Sequence, residues 1–524
     1  MLQGSWAPSR CASPIRCRFS RRQSTIVVAR QHRNPWKTRS TTNGMELVFP
    51  GIASGEEAPR HSGQCRPRTS LLPPGASVGF FLAVAAATPA VVDTGEFPML
   101  KYTKSGLALA SLLALGIAPA MAEGIADGFS RAIKQSDTTL SFRYRYESVD
   151  QDGLPHDANA STLLSRLTWK SGTVHGISGL VEADNVSYLG DDDFNNTTNR
   201  KATYPIVADP DYTEINQALL SYVVNRSAKI SVGRQRINHA GERFLGGVAW
   251  RQNEQTFDAA RIEFKPLSRL AVDYAYIWDV NRVFDPHTNM GDFPGNTALG
   301  DFNGDIHAAI ATYDLGSGRT LAGYSYLLDI HELPNLSSST FGLEYKGNTK
   351  VSEALTLAVN LAYARQEDYR DSQLNYSVPY YFGEVMGLMV PVSLAGGAAT
   401  PMPVSFGAGY EVMGSDHGVA SFQTPLATLH KFDGFADKFL ITPPKGIEDA
   451  YLKAGVTVAG VALTAFYHDF DSEDGGMHYG DEIDLVAAYA FSPRYGAQLK
   501  YASYNADEFA TDTEKLWLMV TATF

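Results

Sequence analysis

Lys515-Leu516-Trp517-Leu518-Met519-Val520-Thr521-Ala522-Thr523-Phe524 closes the sequence. Read with the period of two that a strand imposes, Leu516, Leu518, Val520, Ala522 and Phe524 share one face, and Trp517, Met519, Thr521 and Thr523 the other. An apolar strand that runs off the last residue leaves no length for a capping loop. In an open sheet it would expose an adhesive hydrophobic edge. In a closed sheet it pairs with the first strand and the edge disappears. The rest of the chain has to supply the other strands of such a closure.

The first part of the sequence reads as a different polymer. Residues 1–98 are rich in Arg, Ser and Pro without sustained periodicity, and are expected to be a disordered extension. From Met99 the order is a positively charged start with Lys101 and Lys104, an apolar stretch from Ser105 to Ile117, and Ala120-Met121-Ala122. That is the layout of an export signal with a small-residue cleavage site, placing the signal at 99–122 and the mature domain at 123–524. A signal buried this far into a chain implies that translation starts at Met99 and that 1–98 is a mis-assigned start. The alternative is a genuine basic, transit-like extension. Of the 44 Lys and Arg, 14 fall before residue 123, as do 5 of the 56 Asp and Glu, leaving 30 against 51 and a net charge of −21. That balance argues against nucleic acid as a partner. Cys11, Cys17 and Cys65 all precede residue 123, so the mature domain has neither disulfides nor thiolate metal sites. No long apolar helix follows residue 122, so membrane insertion has to be by strands.

Eighteen alternating segments follow between 138 and 524, an even number that returns both ends of the chain to one rim. Links after even-numbered strands are short, as in Ser171-Gly-Thr, Asn225-Arg-Ser, Pro266-Leu and Gly316-Ser-Gly. Links after odd-numbered strands are mostly long and polar, including 190–212, 237–255, 283–304 and 414–447. Sorting loop length by strand parity is the layout of an outer-membrane barrel, and a sandwich has no reason to show it. The apolar link 389–402 breaks the rule and reads either as a plug or as a flexible insertion. On the first strand Leu140, Phe142, Tyr144 and Tyr146 oppose Ser141, Arg143, Arg145 and Glu147; on the fourteenth Leu452, Ala454, Val456 and Val458 oppose Asp449, Tyr451, Lys453 and Gly455. A lumen of this width is too large for side chains to fill, so the polar set should face water inside and the apolar set lipid outside. The expected fold is therefore all-β, a transmembrane antiparallel β-barrel of about 18 strands. Aromatic residues near strand ends (Tyr144, Tyr146, Trp169, Tyr274, Tyr276, Trp278, Tyr324, Tyr326 and Trp517) are expected in interfacial girdles.

Two segments stand out. One runs from Gly233-Arg-Gln-Arg-Ile through Glu242-Arg-Phe-Leu-Gly-Gly-Val-Ala-Trp250-Arg-Gln-Asn to Phe257-Asp258. The other runs from Gly409-Tyr-Glu-Val-Met to Asp416 and then from Phe422 through His430-Lys-Phe-Asp-Gly-Phe-Ala-Asp-Lys438-Phe. Both resemble the alginate-export family of outer-membrane porins; the ending resembles the closing strand of bacterial outer-membrane β-barrels in general, where a terminal Phe is the usual last residue. The resemblance implies an eighteen-stranded barrel that passes an anionic polysaccharide through an arginine-lined lumen. Guanidinium suits that task because it grips carboxylates bidentately and stays charged at any working pH. Several moderate contacts in series let a polymer move where one tight site would trap it. The candidate pore-lining residues are Arg143, Arg145, Arg166, Arg234, Arg236, Arg243, Arg251, Arg261 and Lys453, with Glu182, Asp184 and Glu411 among the inward carboxylates that moderate them. Asp273, Asp279, Glu344, Asp449 and Asp484 are expected inward too. The bland alternative is that these charges only pair with one another and solvate the wall. Arg234 shares strand phase with Ile230 and Val232, so it reaches the lumen only if the strand bulges near Gly233 or has already ended.

Acidic runs Asp191–Asp193, Asp301–Asp305 and Asp469–Asp474 offer oxygen ligands but none has the spacing of a calcium loop, and solvated rim loops explain them. Residues 425–436 are expected to form one short helix on a loop at the rim. The leading function is a passive channel for an alginate-like polysaccharide or oligosaccharide, in the outer membrane of a Gram-negative bacterium. The expected partners are the lipid bilayer, lipopolysaccharide, the anionic cargo and periplasmic export components, with no cofactor. The alternatives are a general small-nutrient porin, an adhesin and an outer-membrane hydrolase. For the last, His430, His468 and His478 lack a convincing serine partner.

Overall fold

The computed structural model describes residues 124–285, 299–389 and 402–524. The expected extension, the export signal and residues 390–401 of the apolar link lie outside them. Among the described residues the chain forms eighteen strands in a single sheet. They are β1 (Asp137–Gln151), β2 (Ala158–Lys170), β3 (Ile177–Asp193), β4 (Thr213–Asn225), β5 (Ala228–Gln235) and β6 (Thr256–Leu267). Next come β7 (Leu270–Asn281), β8 (Asp301–Gly316), β9 (Arg319–Leu328), β10 (Ser338–Lys350), β11 (Leu355–Asp368) and β12 (Ser377–Met389). The circuit ends with β13 (Val404–Met413), β14 (Ile447–Val458), β15 (Val461–Asp471), β16 (His478–Ala490), β17 (Tyr495–Ala506) and β18 (Thr513–Thr523).

Each strand pairs antiparallel with its sequence neighbours, and β18 pairs back onto β1 from Ser141–Thr523 to Gln151–Thr513. The amide of Phe524 donates to the carbonyl of Leu140 at 2.8 Å and the Leu140 amide returns the bond at 3.1 Å. The closure anticipated from the terminal decapeptide is thus made down to its last residue. It removes the edge that lipid could not satisfy.

The faces divide as alternation requires. Leu516, Leu518 and Val520 are exposed on the outer wall while Trp517 and Met519 are buried inside. Leu452, Leu463, Ile483, Leu485 and Leu499 continue the outer apolar band across β14 to β17. Three of the aromatic residues expected in the girdles lie elsewhere. Trp517 is fully buried and Tyr324 and Tyr326 nearly so, all on the inner face. The inner phase is polar only where water reaches it, and here loops cover it, so large aromatics fit.

The start of β1, the end of β18 and the short turns lie at one rim, the terminal rim; the long links leave the strands at the other, the loop rim. A short helix, α1 (Ile125–Lys134), precedes β1, and the Gly172 amide bonds to its Ala132 carbonyl at 2.8 Å. Ten residues lie below the length at which periodicity separates a helix from a leader segment, which is why it was not foreseen. The helix expected at 425–436 is only a single 3-10 turn, Leu429–Lys431.

A charge on the lipid-facing wall should block assembly. Leu518→Arg places a guanidinium there at about 2–4 kcal/mol. Its folded, heat-modifiable fraction on unboiled gels after refolding into lipid vesicles should fall well below that of Leu518→Val.

Candidate functional site in the barrel lumen

A wall of eighteen strands leaves a wide interior, and two loops cross it. Residues 236–255 link β5 to β6, and 414–446 link β13 to β14. They meet at a bridge between Leu245 and Leu426. Around it Gly246 donates to the Leu426 carbonyl at 2.9 Å and Thr428 to the Glu242 carbonyl at 3.0 Å. The Gln255 amide ties Gly246 and Leu426 together from the side. Apolar contacts then fix the pair to the wall, with Phe244 against Tyr324, Tyr380 and Phe422 and with Trp250 edge-on to Trp517. These segments were read as rim loops; they are the filling of the barrel.

Ionic contacts supply the rest of the anchoring, and most of the anticipated arginines are spent on it. Arg143 donates to Gln252 and to the carbonyls of Ala249 and Arg251. Arg145 reaches Asp209 at 3.0 Å and the Trp250 carbonyl, with both charges fully buried. Arg251 joins Glu147 at 3.1 Å to Asp437 at 3.3 Å. Arg243 spans Glu411 at 2.5 Å and Asp433 at 2.9 Å. On the wall below, Arg166 grips Asp184 at 2.6 Å and Glu254 at 2.7 Å, while Arg236 joins Glu182 to Glu254. Arg261 pairs with Asp273. Such pairs fix geometry more than they add stability, because desolvation offsets most of their attraction.

Arg234 is placed elsewhere. The β5–β6 register runs unbroken through it, opposite Asp258. It therefore keeps the outward phase of Ile230 and Val232 and pairs with Asp258 at 2.8 Å on the outer face. Asp279 also turns outward, because a register break between Ile277 and Asp279 shifts the phase inherited from Asp273. Lys453 does face the lumen, 4.9 Å from the Phe466 ring centre.

Cavities remain on either side of the crossing loops, and two of them adjoin the segment around His430. Toward the loop rim lies a vestibule of about 790 Å³ whose lining includes Arg200, Arg251, Arg282, Lys438 and Lys515 and, among the described residues, a single carboxylate, Asp437. Toward the terminal rim lies a second cavity of about 400 Å³, bounded by Lys431–Phe435 and by the inner faces of β10 to β15. His430 and Lys438 thus belong to the vestibule while the residues between Lys431 and Phe435 face the other side. This segment is the partition.

Its fastening is specific. The His430 ring stacks on Trp250 with centres 4.3 Å apart, and its Nδ1 lies 2.6 Å from Asp437. The Lys500 ammonium from β17 meets Nε2 at 2.7 Å. An ammonium can only donate, so Nε2 accepts and the ring proton sits on Nδ1, directed at Asp437. Burial drives the His430 imidazole well below its ordinary range, consistent with the neutral ring. Asp437 also receives Lys515 at 2.7 Å. Burial opposes the Asp437 charge, yet the positive groups around it hold the carboxyl well below the usual range. Glu482 and Asp484 finish the anchoring by accepting from the amides of Ala436 and Phe435.

Lys438, Asp437, Lys500 and Lys515 were not picked out from sequence. Lys515 had a usable signal, since it shares the inner phase of Trp517 and Met519. Lys500 likewise opposes Leu499 and Tyr501 on its strand and so reads as inward; Asp437 and Lys438 join them only through loop insertion, which strand alternation cannot report.

Residues 134–281 match the family described as alginate export. The match bears out the resemblance read from the sequence and includes the first quoted segment; the second lies beyond it. No curated protein matches the chain. Among solved structures the chain is similar to Acinetobacter baumannii OccAB2 at 17% identity and a TM-score of 0.58, covering 75% of this chain and 99% of that one. It is similar to Pseudomonas aeruginosa OccK9 (OpdG) at 13% identity and a TM-score of 0.59, with 75% and 99% covered. It is also similar to the outer membrane protein OpdK of Pseudomonas aeruginosa, solved with vanillate among other forms, at 14% identity and a TM-score of 0.55, with 75% and 99% covered. At these identities the likeness is one of fold: a closed eighteen-strand outer-membrane porin barrel.

Removing Asp437 tests the partition. Asp437→Asn strips a shared counter-ion from Arg251 and Lys515 and a charged acceptor from His430, and breaking buried pairs typically costs about 3–5 kcal/mol. Trypsin should cut the detergent-solubilised variant at Lys431 or Lys438 at least ~10-fold faster than the parent protein.

Proposed function

We propose that the protein is a passive outer-membrane channel for small anionic solutes, with a carboxylate of monosaccharide or short-oligosaccharide size as the favoured cargo. The supporting observation is the vestibule, whose lining among the described residues holds Arg200, Arg282, Lys438 and Lys515 beside a single carboxylate, Asp437. A concave surface of one sign concentrates counter-charged solutes and raises their rate of entry. Below it, the partly exposed Arg166, Arg236 and Arg261 continue a run of guanidiniums along β2, β6 and the loop after β5. Their carboxylate partners moderate the potential so that an anion is passed on rather than held.

Size is argued from the cavities. Volumes of about 400 and 790 Å³ suit small molecules, whose sites span roughly 300–1,000 Å³. A folded polymer segment would have to displace the crossing loops. The match of residues 134–281 to the alginate-export family favours a second reading, an acidic polysaccharide threaded after the loops move aside.

Reversal potentials across planar bilayers under a salt gradient test the proposal. An anion preference is expected, and cation preference would replace the proposal with general diffusion. Lys438 gives the preference a pH dependence. Burial and the neighbouring Lys515 lower its ammonium to about 8, so it is charged below that pH and neutral above it. Anion selectivity should therefore fall as pH rises through about 8, and Lys438→Gln should flatten that step.

A further inference from the structure

We propose that α1 is an interfacial anchor that lays Phe129 and Ile133 into the phospholipid leaflet at the terminal rim. The proposal rests on the barrel fold and is independent of which solute the pore passes. Residues four apart on a helix lie one above the other, so Phe129 and Ile133 form one stripe. Both are left open, Phe129 at 66% exposure and Ile133 at 48%. Asp127, Arg131 and Lys134 fall on the opposite side of the helix, and all three are exposed. Gly128 and Ala132 make a third side, and that side touches the barrel.

The contact fixes where the helix lies. The Gly172 amide donates to the Ala132 carbonyl at 2.8 Å, and a Cβ on Gly172 would stand 2.5 Å from the Gln135 Cβ. Gly128 faces Val174, since a Cβ on it would stand 3.3 Å from the Val174 Cγ1. Val174 pairs with Ile177 across the turn between β2 and β3, the amide of each donating to the carbonyl of the other at 2.9 Å. Directly opposed residues share a face, so Val174 and Ile177 point the same way. Ile177 keeps the strand phase of Val181, which is exposed on the outer wall with Leu140 and Leu167. The helix is thus fastened to the lipid-facing side of the turn. Its stripe continues the outer apolar band past the start of β1.

Area and charge select the occupant. Two apolar side chains on a ten-residue helix fall far short of the roughly 800 Å² per partner that a stable protein interface buries. They suffice for a helix that the barrel already holds at the membrane surface. Short turns mark the periplasmic side of such barrels, where the leaflet is phospholipid. A helix lying in that plane puts its apolar stripe at the acyl boundary and its cations among the phosphates. Arg131 and Lys134 outnumber Asp127 on the polar side, and exposed Lys170 at the end of β2 stands two residues before Gly172.

Site-directed spin labelling reads the depth of each side chain. The full chain, with Cys11, Cys17 and Cys65 changed to Ser, takes Phe129→Cys, Ile133→Cys or Arg131→Cys in turn. Each variant carries a nitroxide and is refolded into vesicles of phosphatidylethanolamine and phosphatidylglycerol. Heat-modifiable migration confirms folding, and Leu140→Cys supplies a lipid-facing reference. Labels at 129 and 133 should be relaxed by oxygen, which concentrates among acyl chains, and shielded from a water-soluble nickel complex. The label at 131 should show the reverse, with the oxygen-to-nickel ratio severalfold lower. Nickel access at 129 equal to that at 131 in a folded barrel overturns the anchor. So does spin–spin broadening at 129 that vanishes on adding unlabelled protein, because a second copy would then cover the stripe.

Discussion

A ring of eighteen strands encloses more space than its own side chains can fill. Everything inside this protein answers that constraint. The wall is complete once β18 has paired with β1, but it is hollow, and the crossing loops occupy the hollow. Because the inner face must also be wettable, the loops are held largely by ions and hydrogen bonds, with aromatic packing from Phe244, Trp250 and Phe422 at the centre. Arginines that seemed destined to contact a passing anion are mainly structural ties. Arg145, Arg243 and Arg251 are almost wholly buried, and each is engaged by carboxylates or carbonyls. The charge presented to a solute comes from the loop-rim vestibule and from the partly exposed arginines below it.

The wall was legible in the sequence because alternation writes it residue by residue. Leu518 outward and Trp517 inward follow from the terminal decapeptide alone, as does the pairing of the last strand with the first. Strand β15 is ambiguous to a period of two because Phe466 and Phe470 are apolar and yet face inward, where loop residues such as Phe435 and Phe439 meet them. Period two reports a face only when that face has one kind of solvent. The same limit explains Trp517, Tyr324 and Tyr326, which look like interfacial aromatics until a loop is laid over them. Arg234 shows the opposite case: its strand phase was read correctly, and the hope of a bulge at Gly233 was not, because the β5–β6 register holds.

The lumen was legible in charge but not in grouping. Inward phases located Arg166, Arg261, Glu182 and Asp184 because strands fix them. The partition could not be assembled that way. Its parts come from β1, β16, β17, β18 and two loops, and they converge only after 414–446 has turned inside. The neutral His430 between Asp437 and Lys500 depends on contacts spanning 7 and 70 positions of the chain. No local pattern encodes such a meeting.

The Leu245–Leu426 bridge has a mechanical consequence. It joins segments that are otherwise tethered to opposite arcs of the wall, so neither can swing aside while the other stays put. The crossing behaves as one beam rather than two flaps. Widening the passage then means breaking the beam or detaching it whole, and current through a single molecule should jump between discrete levels instead of drifting.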